Sequence, residues 1–190
     1  MEDFISDKTF KGENFRAKHL PKAAYENCVF EDCDFSDGFL DNQNFMECTF
    51  QDCNLSNVNI AHTIFKEVSF HYCKMIGLNF EECNAFLMDF TFYHCNLKMS
   101  SFQRMNLKNL LFKSCKLIGV DFTETNLSNA LFEDTDLDKA LFSKTNLSKA
   151  DFSSAFNFKI DPKNNQLRNA KFHLEGLPGL LAEYHLKITS

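Results

Sequence analysis

Thiols, imidazoles and carboxylates are the groups in this chain that could do chemistry: eight Cys, six His and 26 Asp plus Glu among 190 residues. The pairs Cys28/Cys33 and Cys48/Cys53 each have four residues between them. That is loosely the spacing of metal ligands, and paired thiolates hold zinc or exchange disulfides. Yet no His falls beside them at zinc spacing, and all eight Cys occupy one position of an internal repeat that Val and Ala also fill. A free Cys there behaves as a small buried hydrophobe. His19, His62, His71, His94, His173 and His185 are scattered, none at a catalytic offset from a Cys or carboxylate. A carboxylate acting as general acid needs burial to raise its pKa, whereas nearly all of these acids fall at outward positions. There is no Gly-rich phosphate loop. The residues therefore imply no catalytic, cofactor or metal site, and no enzyme.

The elements that carry these side chains follow from one periodicity. From Phe10 an apolar residue falls at every fifth position: Phe15, Leu20, Tyr25, Phe30 and so on to Phe80. The phase slips by two residues within 83–92, then resumes at Leu87, Phe92, Leu97 and onward to Phe152. Sixteen of the 23 Phe lie on this lattice, and the chain has no Trp, so one apolar shape is wanted many times over. Two positions before the lattice residue stands, nearly always, a small or thiol-bearing side chain, and the other positions are mostly polar. Alternation in and out, with a corner every five residues, is strand-like and fits no helical period. A shift of twenty is the shortest that sets like on like in both halves, as in Phe10/Phe30/Phe50/Phe70 and Phe92/Phe112/Phe132/Phe152. Four faces per coil are expected, in an all-β, right-handed quadrilateral β-helix. About seven coils would make a rod of roughly 35 Å.

Residues 1–159 are read as the solenoid and 160–190 as a C-terminal cap. Within the cap, Leu177, Leu180, Leu181 and Tyr184 have the i, i+3, i+4, i+7 spacing of a short amphipathic helix starting near Pro178. A brief strand, 186–188, is expected after it. The apolar residues of this helix are also candidates for a two-fold dimer interface. The slip at 83–92 reads as a bulge or kink in one face, or as a functional hinge or partner-docking irregularity.

Charge narrows the partner. The formal net charge is −6, and residues 23–65 hold eight acids and no Lys or Arg. A plain nucleic-acid binder would carry the opposite sign. No stretch approaches a membrane span, and MEDFISDKTF has no export signal, so a cytoplasmic protein with reduced thiols is expected. The stacked pairs Asp32/Asp52 and Glu47/Glu67 put like charges one strand spacing apart, which is mildly unfavourable. They read either as a solvated face or as rows of carboxylates placed where DNA carries phosphates, steering the rod to a basic DNA-binding cleft.

The repeat has the form A(D/N)LxX, nearly ideal in TNLSNALFEDTDLDKALFSKTNLSKADF at 125–152. On these residues the chain resembles the pentapeptide-repeat family over about 8–159. Its length, acidic surface, mid-chain break and leucine-rich C-terminal segment are similar to the Qnr-type, fluoroquinolone-resistance branch. That resemblance implies a dimer that imitates DNA, binds type II topoisomerases (DNA gyrase or topoisomerase IV) and shields them from quinolones or peptide antibiotics. The competing reading is a cytoplasmic interaction scaffold with an unrelated partner. The chain departs from enterobacterial Qnr proteins in lacking their two long loops. It also carries Lys139, Lys144, Lys149, Lys159 and Lys163 in its C-terminal part, which confines any mimicry to the acidic patches.

Overall fold

An apolar residue at every fifth position can face one interior only if the backbone turns between successive repeats. It does so two residues after most lattice positions, where φ is positive: Asn27 +50°, Asp32 +53°, Glu47 +53°, Asp52 +54°, Asn129 +58° and Lys149 +62° among many. At several corners the lattice carbonyl accepts the N–H three residues on, as from Phe35 to Gly38 (3.0 Å) and from Leu147 to Ala150 (3.0 Å). Positive φ at the third residue of such a turn is the type II signature. The Asp or Asn before a lattice residue closes the turn from the other side. Asp121 Oδ1 accepts the Thr123 N–H at 2.8 Å, and Asn146 Oδ1 accepts that of Ser148 at 3.1 Å. The (D/N) of the repeat is thus an Asx-turn residue.

The computed structural model describes residues 3–16, 18–85 and 88–187. Every strand pair is parallel. Face 1 is a nine-stranded sheet: Thr9–Lys11, Val29–Glu31, Thr49–Gln51, Val68–His71, Phe90–Tyr93, Leu111–Lys113, Leu131–Glu133, Asp151–Phe152 and Lys171–Phe172. Face 4, three faces further along each coil, begins as a four-stranded sheet of Asp3–Ser6, Ala23–Glu26, Asn44–Met46 and Ile64–Lys66. Faces 2 and 3 are stitched by single bridges such as Asp34↔Asn54 and Ser101↔Asp121. Partners stand twenty residues apart, as in Phe30↔Phe50, and 22 apart across the slip, as in Phe70↔Phe92. Asn84 N–H still reaches the Thr63 carbonyl at the ordinary offset, whereas Asp89 N–H reaches that of Phe65, so the two extra residues enter between 84 and 89. A 3₁₀ turn, Phe80–Glu82, precedes them. The lattice place expected for Leu87 lies outside the described residues.

The interior is a set of columns. Phe10, Phe30, Phe50, Phe70, Phe92, Phe112, Phe132, Phe152 and Phe172 form one continuous stack, with centroids 4.6–5.4 Å apart and planes within 4–21° of parallel. Neighbouring columns meet it edge to face, as Phe92 meets Phe102 at 6.1 Å and 76°. Both arrangements suit the ring quadrupole. The lattice reaches further at both ends than the spacing suggested. Ile5 pairs in register with Tyr25, and Phe172 with Phe152, so the rod is longer than the roughly seven coils expected from strand spacing.

The C-terminal segment differs from the expected amphipathic helix. Residues Leu174–Leu180 and Ala182–Tyr184 are 3₁₀, with Pro178 inside the first rather than opening it. Proline has no N–H to donate, and two glycines weaken the α-helix further. The glycines are needed for packing: a Cβ at Gly176 would stand 2.7 Å from Cζ of Phe158, the buried ring that closes the last coil. The expected strand at 186–188 is not formed by Leu186 and Lys187, which have no regular structure, and Ile188 lies outside the described residues.

Phe112 sits between Phe92 (5.3 Å) and Phe132 (5.4 Å) and is fully buried. Phe112→Ala is expected to lower unfolding stability by ~3–5 kcal/mol in chemical denaturation; a loss under about 1 kcal/mol would mean the stack is not the stabilising element. Ser114 holds a corner at φ +53°. Ser114→Gly should stabilise by roughly 0.5–1 kcal/mol and Ser114→Val should destabilise, measured the same way, because only glycine adopts this conformation without cost.

Candidate protein-binding surface

The four acids singled out by their spacing all lie at left-handed corners and are all exposed. Coil-to-coil hydrogen bonds order them. Asp32 N–H donates to the Gln51 carbonyl at 3.0 Å and Asp52 N–H to that of His71 at 2.9 Å, so Asp32 and Asp52 share one corner column. Glu47 N–H donates to the Lys66 carbonyl at 2.9 Å, which puts Glu47 directly beside Glu67 on the next coil. Residues 47 and 52 are successive corners, so the two columns border face 1 on its two sides. The backbone accounts for half of this choice: Asp tolerates the left-handed region, whereas Glu has no such preference.

Elsewhere on the rod, charges alternate between coils. Lys11 meets Glu31 at 2.7 Å, Lys113 meets Glu133 at 2.7 Å, and Lys171 meets Asp151 at 3.2 Å. Glu124 lies between Arg104 (3.2 Å) and Lys144 (3.5 Å). Bases from flanking coils also reach Asp37 and Asp41, at Arg16 (3.3 Å) and Lys22 (3.9 Å), inside the stretch that looks purely acidic in sequence. Among the described residues, Asp32, Glu47 and Asp52 have no ion pair, and Glu67 has Lys66 at 3.9 Å. Like charge thus stacks on like at the borders of face 1.

One cluster on this face was missed by reasoning from single positions. His71 stacks on Tyr93 (4.7 Å, 6°) and Tyr72 on His94 (4.7 Å, 2°). The signal was present as FHYC at 70–73 and FYHC at 92–95, which fall in register once the offset of 22 is applied.

The cysteines are all buried and unpaired. Their position is not simply apolar. Cys53 Sγ donates to the Phe30 carbonyl at 3.2 Å, and Thr125 and Thr145 hydroxyls donate to the equivalent carbonyls of Phe102 (2.6 Å) and Phe122 (2.8 Å). The site is a slot for a short donor, and burial pushes the Cys48 thiol up to about 12, away from a reactive thiolate. No group of three or more His, Cys, Asp or Glu among the described residues is placed to hold a metal. Nor is any described helix long and apolar enough to cross a membrane. At the C-terminal end Leu177, Leu181 and Tyr184 are exposed, Leu180 packs on the core, and Lys163 lies 5.1 Å over the Tyr184 ring.

Residues 43–113 and 85–172 match the sequence profile described as the pentapeptide repeat region, and the chain belongs to the pentapeptide-repeat family. No curated protein matches it. Among solved structures it is similar to a trypsin-treated form of QnrB1, described as a plasmid-mediated fluoroquinolone resistance protein, with a TM-score of 0.65 and 16% identity over 99% of this chain and 92% of that one. A second trypsin-treated QnrB1 gives 0.62 and 15%, over 97% and 99%. It is equally similar to HetL, a pentapeptide repeat protein involved in heterocyst differentiation regulation in the cyanobacterium Nostoc, with a TM-score of 0.67 and 16% identity over 92% of this chain and 89% of that one. At these identities the likeness is one of fold.

Hydrogen bonds from Ser153, together with Lys171, hold the Asp151 carboxyl below its ordinary value. A depressed carboxylate contributes stability that is present above its unfolded pKa, about 3.9, and is lost as pH falls through the folded one. Asp151→Asn should therefore lose stability relative to the parent at pH 7 but show a flatter decline below about pH 4, read from urea midpoints across pH.

Proposed function

We propose that this protein is a non-enzymatic, cytoplasmic binding rod that presents the acidic borders of face 1 to the DNA-binding cleft of a type II topoisomerase, DNA gyrase or topoisomerase IV. In this reading it shields the enzyme from quinolones or peptide antibiotics. One observation carries it: the carboxylates of Asp32, Glu47 and Asp52, which have no ion pair among the described residues, stack like on like with Glu67, on a rod where several other charges meet their opposites between coils. Two rows about one strand spacing apart within each row imitate the paired lines of charge on a duplex, which carries one phosphate per ≈ 3.4 Å per strand. The Qnr-like fold is compatible with this role, and the exposed Leu177, Leu181 and Tyr184, with Leu180 beneath them, are the surface through which two copies would join. A rod of this kind would act by occupying the cleft in place of DNA, drawn in by long-range attraction.

A second reading is favoured by the equal likeness to HetL, whose described role is developmental regulation. There the same rod is a scaffold for a partner unrelated to topoisomerases, and the charge serves solubility.

Gyrase supercoiling with and without ciprofloxacin separates them. Inhibition of supercoiling or rescue from the drug at micromolar protein is expected; no effect from a folded protein would exclude the topoisomerase reading. The combined variant Asp32→Asn, Glu47→Gln, Asp52→Asn, Glu67→Gln should bind gyrase at least about tenfold more weakly and with a shallower salt dependence. Unchanged affinity and salt slope would remove the carboxylates from recognition.

A further inference from the structure

We propose that face 1 at the strands Val68–His71 and Phe90–Tyr93, with the corner beside them, is a docking platform for an extended, arginine-bearing polypeptide segment, recognised by the His71/Tyr93 and Tyr72/His94 stacks and the neighbouring carboxylates. The two stacks lie side by side, His71 and Tyr93 at the ends of adjacent strands and Tyr72 and His94 at the left-handed corners that follow. Each pair is nearly parallel, with centroids one coil apart at 4.7 Å, so the ring normals run along the rod. Tyr72 shares its corner column with Asp52, one coil above, and is 58% exposed. The Asp side chain is much shorter than the Tyr side chain. The outer part of the ring is therefore left open beneath a carboxylate.

That combination suits a guanidinium better than any other common group. Its plane stacks on an aromatic face while its N–H fork reaches a carboxylate edge-on. An ammonium is a compact, strongly hydrated point charge and gains less from the ring. Glu47 and Glu67 on the opposite border supply further attraction. The nearest base on the strand below, Lys113, is engaged by Glu133 at 2.7 Å. Stacked rings can also hold nucleic-acid bases, but the acidic border would repel the phosphates that such a ligand carries.

The test compares two peptides of equal charge, fluorescein-labelled nona-arginine and nona-lysine, by anisotropy at physiological salt. The parent is expected to bind nona-arginine roughly 5- to 10-fold more tightly than nona-lysine. The double variant Tyr72→Asn, Tyr93→Thr keeps every formal charge, and both positions point outward. Asn also tolerates the φ of +55° at position 72, so the fold should survive, as checked by circular dichroism. It should bind nona-lysine as the parent does and lose the preference for nona-arginine. The single variant His94→Gln provides an independent check and should weaken the preference in the same direction. Equal parental affinity for both peptides, a preference that survives the double variant, or equally tight binding of a labelled single-stranded oligonucleotide would each overturn the platform. The preference between equally charged peptides is read independently of whether the natural partner is a topoisomerase.

Discussion

Parallel pairing of each residue with the one twenty positions later holds this molecule together and also limits what it can present. At one strand spacing, every side chain must sit on the side chain of the next coil. Inside, the constraint is favourable: a column of nine Phe rings stacks without interruption from Phe10 to Phe172. Outside, it turns surface composition into a set of vertical contacts. Opposite charges one coil apart attract, as Arg104, Glu124 and Lys144 do in sequence along one corner. Asn amides join into a ladder, as Asn146 donates to Asn126 (3.1 Å) and Asn126 to Asn106 (2.8 Å). Like charges stacked the same way repel, and the Asp32/Asp52 and Glu47/Glu67 columns carry such stacks on both sides of face 1.

The corner imposes the second constraint. Most turns hold a left-handed residue, yet the chain supplies it mostly without glycine, using Asp and Asn often but also Tyr72, Met99 and Lys144. Non-glycine residues are disfavoured there. The turn is sustained by the hydrogen bonds around it: the Asx contact on one side, and on the other a thiol or hydroxyl reaching the carbonyl of the preceding coil. Cys and Thr recur in that slot beside Val and Ala, and where they stand they add a short donor. The eight thiols are thus part of how the corners are satisfied.

The period, the four faces and the burial of the lattice were legible in the sequence because each rests on one property repeated many times. Features that depend on what lies beside a residue were harder to read. A window of residues 23–65 looks free of bases, yet Lys11, Arg16 and Lys22 reach it from the neighbouring coil. The His/Tyr stacks needed the offset of 22 applied to positions outside the lattice, although FHYC and FYHC were in plain sight. The C-terminal leucines had helical spacing, but Pro178 and the contact of Gly176 with Phe158 favour a 3₁₀ path that spacing alone does not anticipate. The acids were placed correctly in columns; that they flank a single face followed only from knowing which corners are consecutive.

Because each coil closes over its own twenty residues and touches only the coils above and below, the rod can change length in whole steps. Removing residues 102–121 would join Ser101 to Phe122 and leave every column in register, shortening the molecule by about 4.8 Å. Between Asn84 and Asp89 the same excision would need 22 residues to keep Phe70 over its next ring. Insertion or loss of a coil in the C-terminal half would thus slide the terminal cap along the axis while leaving the acidic borders untouched. Such a change would reset the distance between those borders and the cap without altering either surface.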